Sequence, residues 1–426
     1  MLVVEHDRLL VRGADHLIDL GPNAGELGGE VVAEGTVEEV LASPDSLTAE
    51  FLRQREATSA RRHLARRRRE RGMRTVAEEL LDRPKVGVEG ARANNLKGFD
   101  LELPLGALVA VCGVSGSGKS TLVENVLWGN YRRSQGTVDL EVGACDGLLG
   151  LDDLDEMVLV GPRPLGRSSR SNPVTYIKAY DQIRKLFAAT DDAISLGITP
   201  GHFSFNTDKG RCPDCKGSGE TEVDMQFMAP VTMTCDTCGG RRFRRDVLSV
   251  RWRGLDISQA LELTVARAVA VFADNRALAR KLQTLVDVGL GYLRLGQATT
   301  TLSGGEAQRL KLASFLHAPA GGPRLFLFDE PTTGLHLADI EQLLSTLRRL
   351  VERGDGVVVV EHSLDLIARA DWIVDLGPGA GERGGELLYS GPMERYLDSV
   401  DSPTSRELAE FLAVVGTEAR SGGKAG

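Results

Sequence analysis

The stretch GVSGSGKST, residues 113–121, has the residue types and spacing of a loop that binds phosphate. Its glycines let backbone N–H groups close on phosphate oxygens, and the helix predicted after it adds a favourable dipole. Lys119 can bring a positive charge to the outer phosphates, and the Ser120 hydroxyl can bind Mg²⁺. The residues predicted to bind a nucleotide here are Gly113, Ser115, Gly116, Gly118, Lys119, Ser120 and Thr121.

Two carboxylates follow an apolar run, LFLFDEP, which predicts a buried strand over 325–328. Asp329 can hold Mg²⁺ directly or through water, and Glu330 can orient or activate an attacking water. A further motif, LSGGEAQR (302–309), precedes a predicted helix and offers a second anion-binding arrangement. The residues predicted to contact the nucleotide from this motif are Ser303, Gly304, Gly305 and Glu306.

One phosphate loop combined with one such signature motif resembles an ATP-binding cassette (ABC) ATPase, which implies ATP as the nucleotide. His362 follows a strand predicted over 357–360, where that family keeps its phosphate-sensing switch histidine. A lone histidine is more often structural, but its place after the strand favours the switch role. The resemblance therefore implies catalytic roles for Glu330 and His362.

Four of the six cysteines form two CxxC pairs, CPDC and CDTC, separated by 19 residues. Two such pairs at this spacing provide four thiolates suited to a tetrahedral Zn²⁺. Four thiolates leave no open position for a substrate, so the predicted role of the zinc is structural. The predicted ligands are Cys212, Cys215, Cys235 and Cys238.

The chain contains an internal repeat. VVEHDRLLVRGADHLIDLGPNAGELGGE (3–30) returns as VVEHSLDLIARADWIVDLGPGAGERGGE (359–386), with more than half of the aligned residues identical. The sequence therefore opens with what looks like the closing segment of a domain. In this first copy we expect a strand over 2–5, an amphipathic helix, Gly-rich turns and another short helix.

Three long stretches together resemble the UvrA family, which recognises DNA damage in bacterial nucleotide excision repair. They are HFSFNTDKGRCPDCKGSGETEVDMQFMAPVTMTCDTCGGRRF, LQTLVDVGLGYLRLGQATTTLSGGEAQRLKLA and LFLFDEPTTGLH. The resemblance covers residues 85–412 as a full second cassette, whereas residues 1–52 resemble only the end of a first cassette. It implies a UvrA-like protein that binds and hydrolyses ATP and acts on DNA.

The implied fold is α/β, an ABC-type ATPase domain with a helical signature subdomain and a zinc-binding insert, preceded by a fragment of a first cassette. Strands that alternate with helices also favour a largely parallel sheet covered on both faces. The expected parts are a first-cassette remnant (1–52), an Arg-rich linker (53–84), the second ABC domain (85–412) with its insert (200–245) and signature region (257–320), and a disordered tail (413–426).

Composition limits the other classes of function. The net charge of −9 at pH 7 argues against a uniformly basic nucleic-acid binder, so a DNA-binding surface must be local. No apolar run is long enough to span a membrane and no signal peptide is evident, so we expect a cytoplasmic protein with no membrane partner. The candidate DNA contacts are Arg241, Arg242, Arg244 and Arg245, with the run Arg66–Arg69 as the next candidate.

Two departures from the family affect the expected mechanism. Gly161 and Pro162 stand where the family usually has Asp and Gln. In the family that glutamine monitors Mg²⁺ and the attacking water, which the side chain of Pro162 cannot do, so hydrolysis is expected to be slow or coupled differently. The first phosphate loop, the first signature and the region that binds UvrB are absent from this sequence. His6, at the switch position of the first copy, therefore has no local phosphate to sense, and direct UvrB binding is not expected.

Several partners and functions stay open at this point. Because a cassette ATPase closes over ATP as a pair, the partner is either a second copy or a separate first-cassette polypeptide. A UvrA-like resistance protein that handles a DNA-intercalating drug, and a split half without independent activity, are the alternatives to lesion recognition. A transporter ATPase is disfavoured because transporters lack the zinc insert.

Overall fold

The computed structural model describes residues 1–4, 8–22, 28–54, 76–138, 140–161, 170–223, 231–316, 321–333, 335 and 337–421. The predictions made for His6, Pro162 and Arg66–Arg69 lie outside these residues. The chain forms two compact units, Met1–Gly161 with Pro319–Gly426, and Pro162–Ala318. Among the residues just given, no helix is long and apolar enough to cross a membrane.

The first unit is built on a six-stranded sheet. The strands of both units, numbered along the described part of the chain, are β1 (Leu17–Gly21), β2 (Glu30–Gly35), β3 (Lys85–Ala91), β4 (Phe99–Pro104), β5 (Leu108–Cys112), β6 (Gly147–Leu149), β7 (Glu156–Val160), β8 (Glu220–Val223), β9 (Val231–Thr234), β10 (Arg324–Asp329), β11 (Gly356–Val360), β12 (Trp372–Gly377) and β13 (Glu386–Pro392). The order in the sheet is β13-β12-β5-β11-β10-β7, and all neighbours pair in parallel except β12 and β13.

The middle of this sheet is entirely apolar. Every residue of β5 (LVAVC) and of β11 (GVVVV) is buried, as parallel strands covered on both faces require. Because β5, β10 and β11 run in the same direction, their carboxyl ends meet at one edge. The residues that follow these strands are therefore brought together. A separate three-stranded sheet, β4-β3-β6, packs its apolar side into the same core.

Helices connect the strands of the first unit. Thr121–Trp128, which has π-type hydrogen bonds, follows the phosphate loop and buries Leu122, Val123, Val126 and Leu127. The other helices of this unit are Arg8–Arg12, Val37–Ala42, Leu47–Gln54, Val76–Leu81, Gly129–Ser134, Leu337–Glu352, Leu364–Ile367, Met393–Ser399 and Pro403–Ser421. The last helix continues through residues 413–421, where the sequence predicted a disordered tail, because few residues after Pro403 oppose a helix.

The two copies of the repeat fold alike. β1 and β2 form a hairpin, as β12 and β13 do, and each hairpin has a register shift at the same aligned position. Asp19 accepts a hydrogen bond from Ser46, and the aligned Asp375 accepts one from Ser402. The sequence predicted only Gly-rich turns between the helices of the first copy, so the β1–β2 hairpin is a correction.

The strand expected over residues 2–5 is absent from its described part. Residues 2–4 have no regular structure and their side chains are exposed. The aligned residues of the second copy, 358–360, form part of β11 and pair with β5 and β10. A run of apolar residues becomes a strand when neighbouring strands supply hydrogen-bond partners, and residues 2–4 have none within the described part of the chain.

The second unit is mostly helical around an aromatic core. This core contains five phenylalanine side chains that are each 1% exposed or less: Phe187, Phe203, Phe205, Phe243 and Phe272. A two-stranded hairpin, β8–β9, extends from the cysteine-rich insert. The helices are Pro173–Tyr176, Tyr180–Ala188, Asp191–Ser195, Arg245–Leu248, Ile257–Glu262, Val265–Val271, Arg276–Asp287 and Gly304–Leu316.

Candidate functional site

The phosphate loop lies between the buried strand β5 and the helix Thr121–Trp128, as its motif requires. Gly113 opens the loop with φ +129°, and a Cβ there would lie 2.0 Å from the carbonyl oxygen of Leu376. A side chain is therefore excluded at this position. The backbone can turn sharply because the residue is glycine.

Lys119 points back into its own loop. Its side chain is buried, at 5% exposure, and Nζ donates hydrogen bonds to the carbonyl oxygens of Gly113 (2.9 Å) and Val114 (3.0 Å). Burial lowers the pKa of Lys119, because removal from water disfavours its charged form. A phosphate in the loop would supply the anion that this buried cation can pair with.

Two oxygen ligands suited to Mg²⁺ face each other beside the loop. Ser120 Oγ lies 3.5 Å from Asp329 Oδ1, which ends β10. Burial raises the pKa of Asp329, and the nearby Glu124 and Glu330 carboxylates raise it further. A divalent cation would relieve this repulsion. Hard oxygen donors of this kind are the ligands that Mg²⁺ prefers in proteins, so the site fits that ion.

Glu330 and His362 meet at the same edge. Glu330 Oε1 lies 3.4 Å from His362 Nε2, and Glu330 Oε2 accepts a hydrogen bond from Thr333 Oγ1 at 3.3 Å. Glu330 has φ +44°, an uncommon value for a residue other than glycine, and its N–H donates to the carbonyl oxygen of Val360. Burial lowers the pKa of His362, which favours a neutral imidazole.

Glu361 is a residue of this site that the motifs did not single out. Its carboxylate is buried, and one oxygen accepts the N–H of Thr332 (3.1 Å) while the other accepts those of His362 (3.0 Å) and Ser363 (3.1 Å). Burial raises its pKa. The carboxylate ties the segment after β10 to the segment after β11. The repeat carried a signal for it, since the pair Glu-His occurs in both copies.

The signature motif lies in the second unit, at the start of the helix Gly304–Leu316. The Ser303 hydroxyl accepts the N–H of Glu306 at 3.3 Å, and the Glu306 carboxylate accepts the N–H of Ser303 at 2.7 Å. This reciprocal pair is a capping box. Tyr292 donates a hydrogen bond to the same carboxylate. These three hydrogen bonds fix the conformation of the first turn of the helix.

The four cysteines of the insert form one cluster. Their sulfurs all lie within 4.8 Å of one another, with 3.7 Å between those of Cys215 and Cys238 and 3.9 Å between those of Cys212 and Cys235. Four sulfurs about 2.3 Å from a central ion would lie about 3.8 Å apart. Burial raises the pKa of the Cys238 thiol to about 12 in the metal-free cluster. The cluster is compatible with zinc.

The four candidate DNA contacts differ in their surroundings. Arg241 Nε donates to the carbonyl oxygen of Cys238 at 3.1 Å, and Arg242 lies over the ring of Phe205. Arg244 pairs with Asp246 at 2.8 Å. Arg245 is exposed at the start of the helix Arg245–Leu248. Arg241 and Arg242 therefore contact the insert itself, although Arg241 is also exposed, and Arg244 and Arg245 are exposed.

The structure brings the phosphate loop, Asp329, Glu330 and His362 together in the first unit, while the signature motif and the cysteine cluster lie in the second unit. Gly161 follows β7, whose Val160 pairs with Phe328, so the chain at this point runs beside Asp329. Pro162 and His6, which the sequence also marked, lie outside the described residues.

Known proteins resemble the chain along most of its length. Residues 96–169 match the ABC transporter family. UvrABC system protein A of Staphylococcus aureus (strain COL) is 44% identical over 97% of this chain and 42% of that protein. The protein of the same name from Vibrio parahaemolyticus is 46% identical over 97% of this chain and 43% of its own length. The crystal structure of UvrA2 from Deinococcus radiodurans matches with a TM-score of 0.81 and 40% identity, over 96% of this chain and 48% of that one.

This chain spans less than half the length of these relatives. The matches in sequence and in fold extend over nearly all of this chain. The four cysteines also lie close enough together to share one metal ion. Over nearly its whole length the chain is similar to proteins of the UvrA family.

Proposed function

We propose that this protein binds and hydrolyses ATP and acts on DNA, in damage recognition for nucleotide excision repair. The observation that carries the ATPase part is the meeting of Lys119, Ser120, Asp329, Glu330 and His362 at one edge of the sheet. The DNA part rests on the relatives named UvrABC system protein A and on the arginines beside the cysteine cluster.

Each residue of the edge has a role in the proposed reaction. When ATP binds, Lys119 Nζ leaves the carbonyl oxygens of its own loop and pairs with the outer phosphates of ATP. The backbone N–H groups of the loop bind the inner phosphates. Ser120 and Asp329 hold Mg²⁺, which neutralises phosphate charge when bound. Glu330 orients a water for attack and accepts its proton.

His362 contacts the terminal phosphate. Because His362 also contacts Glu330, it couples the position of that phosphate to the position of Glu330, the proposed general base. Glu361 keeps Glu330 and His362 in register, because its carboxylate binds backbone N–H groups from both segments. It is a positioning residue in this scheme.

The proposed reaction needs a second cassette. ABC ATPases close over ATP with the phosphate loop of one cassette and the signature motif of another, and this chain provides one of each. A second copy arranged head to tail completes both sites, and a separate first-cassette polypeptide is the alternative partner. The sequence-derived domain bounds and a cytoplasmic location belong to the same proposal.

Zinc binding has a direct test. We expect one equivalent of zinc per purified chain, held by the four cysteines. Cys212→Ser should lower the zinc content to well under one equivalent and unfold the insert locally, because the remaining thiols cannot close the site. Nucleotide binding should be largely kept. Metal analysis by mass spectrometry measures the content, and Cys145→Ser, outside the cluster, is the matched control.

Zinc well below one equivalent in the parent protein, purified without chelators, would show that the cluster is not a metal site.

DNA binding is expected to be insensitive to sequence and to weaken steeply with salt, because phosphate contacts dominate it. Arg244→Glu combined with Arg245→Glu should lower the affinity by about tenfold or more, since two phosphate contacts become repulsive. Fluorescence anisotropy with a duplex oligonucleotide at several salt concentrations measures both effects. Arg267→Glu, a charge reversal of an exposed arginine on another helix, is the control.

These two positions are preferred to Arg241 and Arg242, whose replacement would disturb the insert. Zinc content shows that the double variant keeps a folded insert. An affinity equal to that of the control would move the DNA contact elsewhere. A parent protein that binds no duplex at low salt would contradict the DNA part of the proposed function.

A further inference from the structure

The Gly-rich segment 378–385 (PGAGERGG), called the brace loop below, joins β12 to β13. It belongs to the internal repeat, and the proposed reaction gives it no role. Two backbone hydrogen bonds join it to the phosphate loop: Gly381 N–H donates to the carbonyl oxygen of Gly116 (3.0 Å), and Gly385 N–H donates to that of Ser117 (3.1 Å). The phosphate loop is therefore joined to the brace loop by hydrogen bonds to the carbonyl oxygens of Gly116 and Ser117.

Asn95 joins the two loops. Its Nδ2 donates to the carbonyl oxygens of Gly116 (3.1 Å) and Gly381 (3.2 Å), one from each loop. Lys97, two residues on, donates its N–H to the carbonyl oxygen of Gly385 (2.9 Å). The segment before β4 thus holds both loops at once, with backbone and side-chain bonds.

The contact between the loops leaves no room for side chains. A Cβ at Gly384 would lie 2.2 Å from the carbonyl oxygen of Gly379 and 3.2 Å from Ser117 Cα. A Cβ at Gly385 would lie 1.8 Å from the carbonyl oxygen of Asn95. These glycines are needed because backbone meets backbone at this point.

The repeat indicates which part of the brace loop matters. The glycines at 381, 384 and 385 recur in the first copy as Gly25, Gly28 and Gly29, whereas Arg383 is replaced by Leu27. Between these glycines, Glu382 recurs as Glu26. Both copies therefore keep the glycines that make the backbone contacts in the second copy.

We propose, on the basis of the proposed ATP-binding function, that the brace loop and Asn95 hold the phosphate loop in the shape that receives nucleotide phosphates. A loop rich in glycine has many alternative conformations, and a nucleotide that must order it loses affinity. The brace removes that cost by fixing the carbonyls of Gly116 and Ser117, so that the N–H groups of the loop stay pre-arranged. Asn95 is a positioning residue.

The test compares Asn95→Ala and Asn95→Asp with the parent. We expect the Kd values for ATP and ADP to rise together by about tenfold in Asn95→Ala, because two hydrogen bonds that order the loop are lost. Asn95→Asp should be affected at least as strongly, since a carboxylate of the same shape cannot donate to two carbonyls. KM for ATP should rise with Kd, while kcat at saturating ATP should change less than about twofold.

Asn130→Ala is the matched control. The Asn130 amide also bridges two carbonyls, those of Val126 (2.8 Å) and Gly143 (2.9 Å), and neither residue belongs to the phosphate loop. Its replacement should lower the thermal unfolding midpoint as Asn95→Ala does and leave nucleotide affinity unchanged. Amide hydrogen exchange without nucleotide should be faster over 113–119 in the Asn95 variants and not in Asn130→Ala.

A titration with fluorescent ATP and ADP analogues separates the outcomes. Asn95 variants that bind both nucleotides as the parent does, with unchanged exchange over 113–119, overturn the brace and leave the ATPase proposal intact. A folded parent protein that binds neither nucleotide overturns the proposed function, and the brace with it.

Discussion

Glu330→Gln should bind ATP as tightly as the parent protein and hydrolyse it at least about a hundredfold more slowly, the usual contribution of a positioned general base. The amide keeps the shape of the side chain and its contact with Thr333, but it cannot accept the proton of the attacking water. ATP should therefore stay trapped in the closed assembly. Single-turnover hydrolysis of radiolabelled ATP measures the rate, and a fluorescent analogue measures the binding.

Glu352→Gln, at the end of the helix Leu337–Glu352, removes an exposed carboxylate from the same unit and is the control for Glu330→Gln. Hydrolysis by Glu330→Gln at the parental rate would mean that another group activates the water. Glu330 would then keep only its hydrogen bonds to the neighbouring segments.

Lys119→Ala should raise the Kd for ATP by about a hundredfold or more, because truncating a buried charge that pairs with phosphate costs several kcal/mol, roughly 2–5. Lys119 is the one cationic residue within the phosphate loop sequence, and it is already desolvated in the protein. Isothermal titration calorimetry with ATP and Mg²⁺ measures the loss.

Lys85→Ala is the control for Lys119→Ala, since Lys85 pairs with Glu102 at the surface of the small sheet. Its ATP affinity should equal that of the parent. Calorimetry that gives Lys119→Ala the same affinity would place the nucleotide outside this loop.

The site was predictable from the sequence where a residue follows a buried strand. The apolar runs before Gly113 and Asp329 predicted strands, and the structure confirms both, β5 and β10, on either side of β11 and parallel to it. Residues at the carboxyl ends of such strands must meet, so the meeting of Lys119 and Asp329 follows from local patterns. The four cysteines were predictable for a different reason: two CxxC pairs at this spacing are typical of a tetrahedral zinc site, and the structure brings all four sulfurs together.

Features that depend on distant contacts were not predictable in this way. The run Leu2–Val4 is as apolar as its aligned copy, but whether it forms a strand depends on neighbours and not on its own residues. Asn95 is polar and precedes a strand, so its sequence context resembles that of any turn. Its bonds to Gly116 and Gly381 join residues far apart in the chain, and only the folded structure shows them.

The most direct test of the proposed reaction is the rate of ATP hydrolysis per chain, measured over a range of protein concentrations with Mg²⁺ present. We predict that the parent's rate per chain rises with concentration, because each ATP needs the phosphate loop of one cassette and the signature motif of another, and that Glu330→Gln shows no such rise. A rate per chain that stays constant while sedimentation shows a monomer would contradict the need for a second cassette. A parental rate no higher than that of Glu330→Gln at every concentration would contradict hydrolysis at this site.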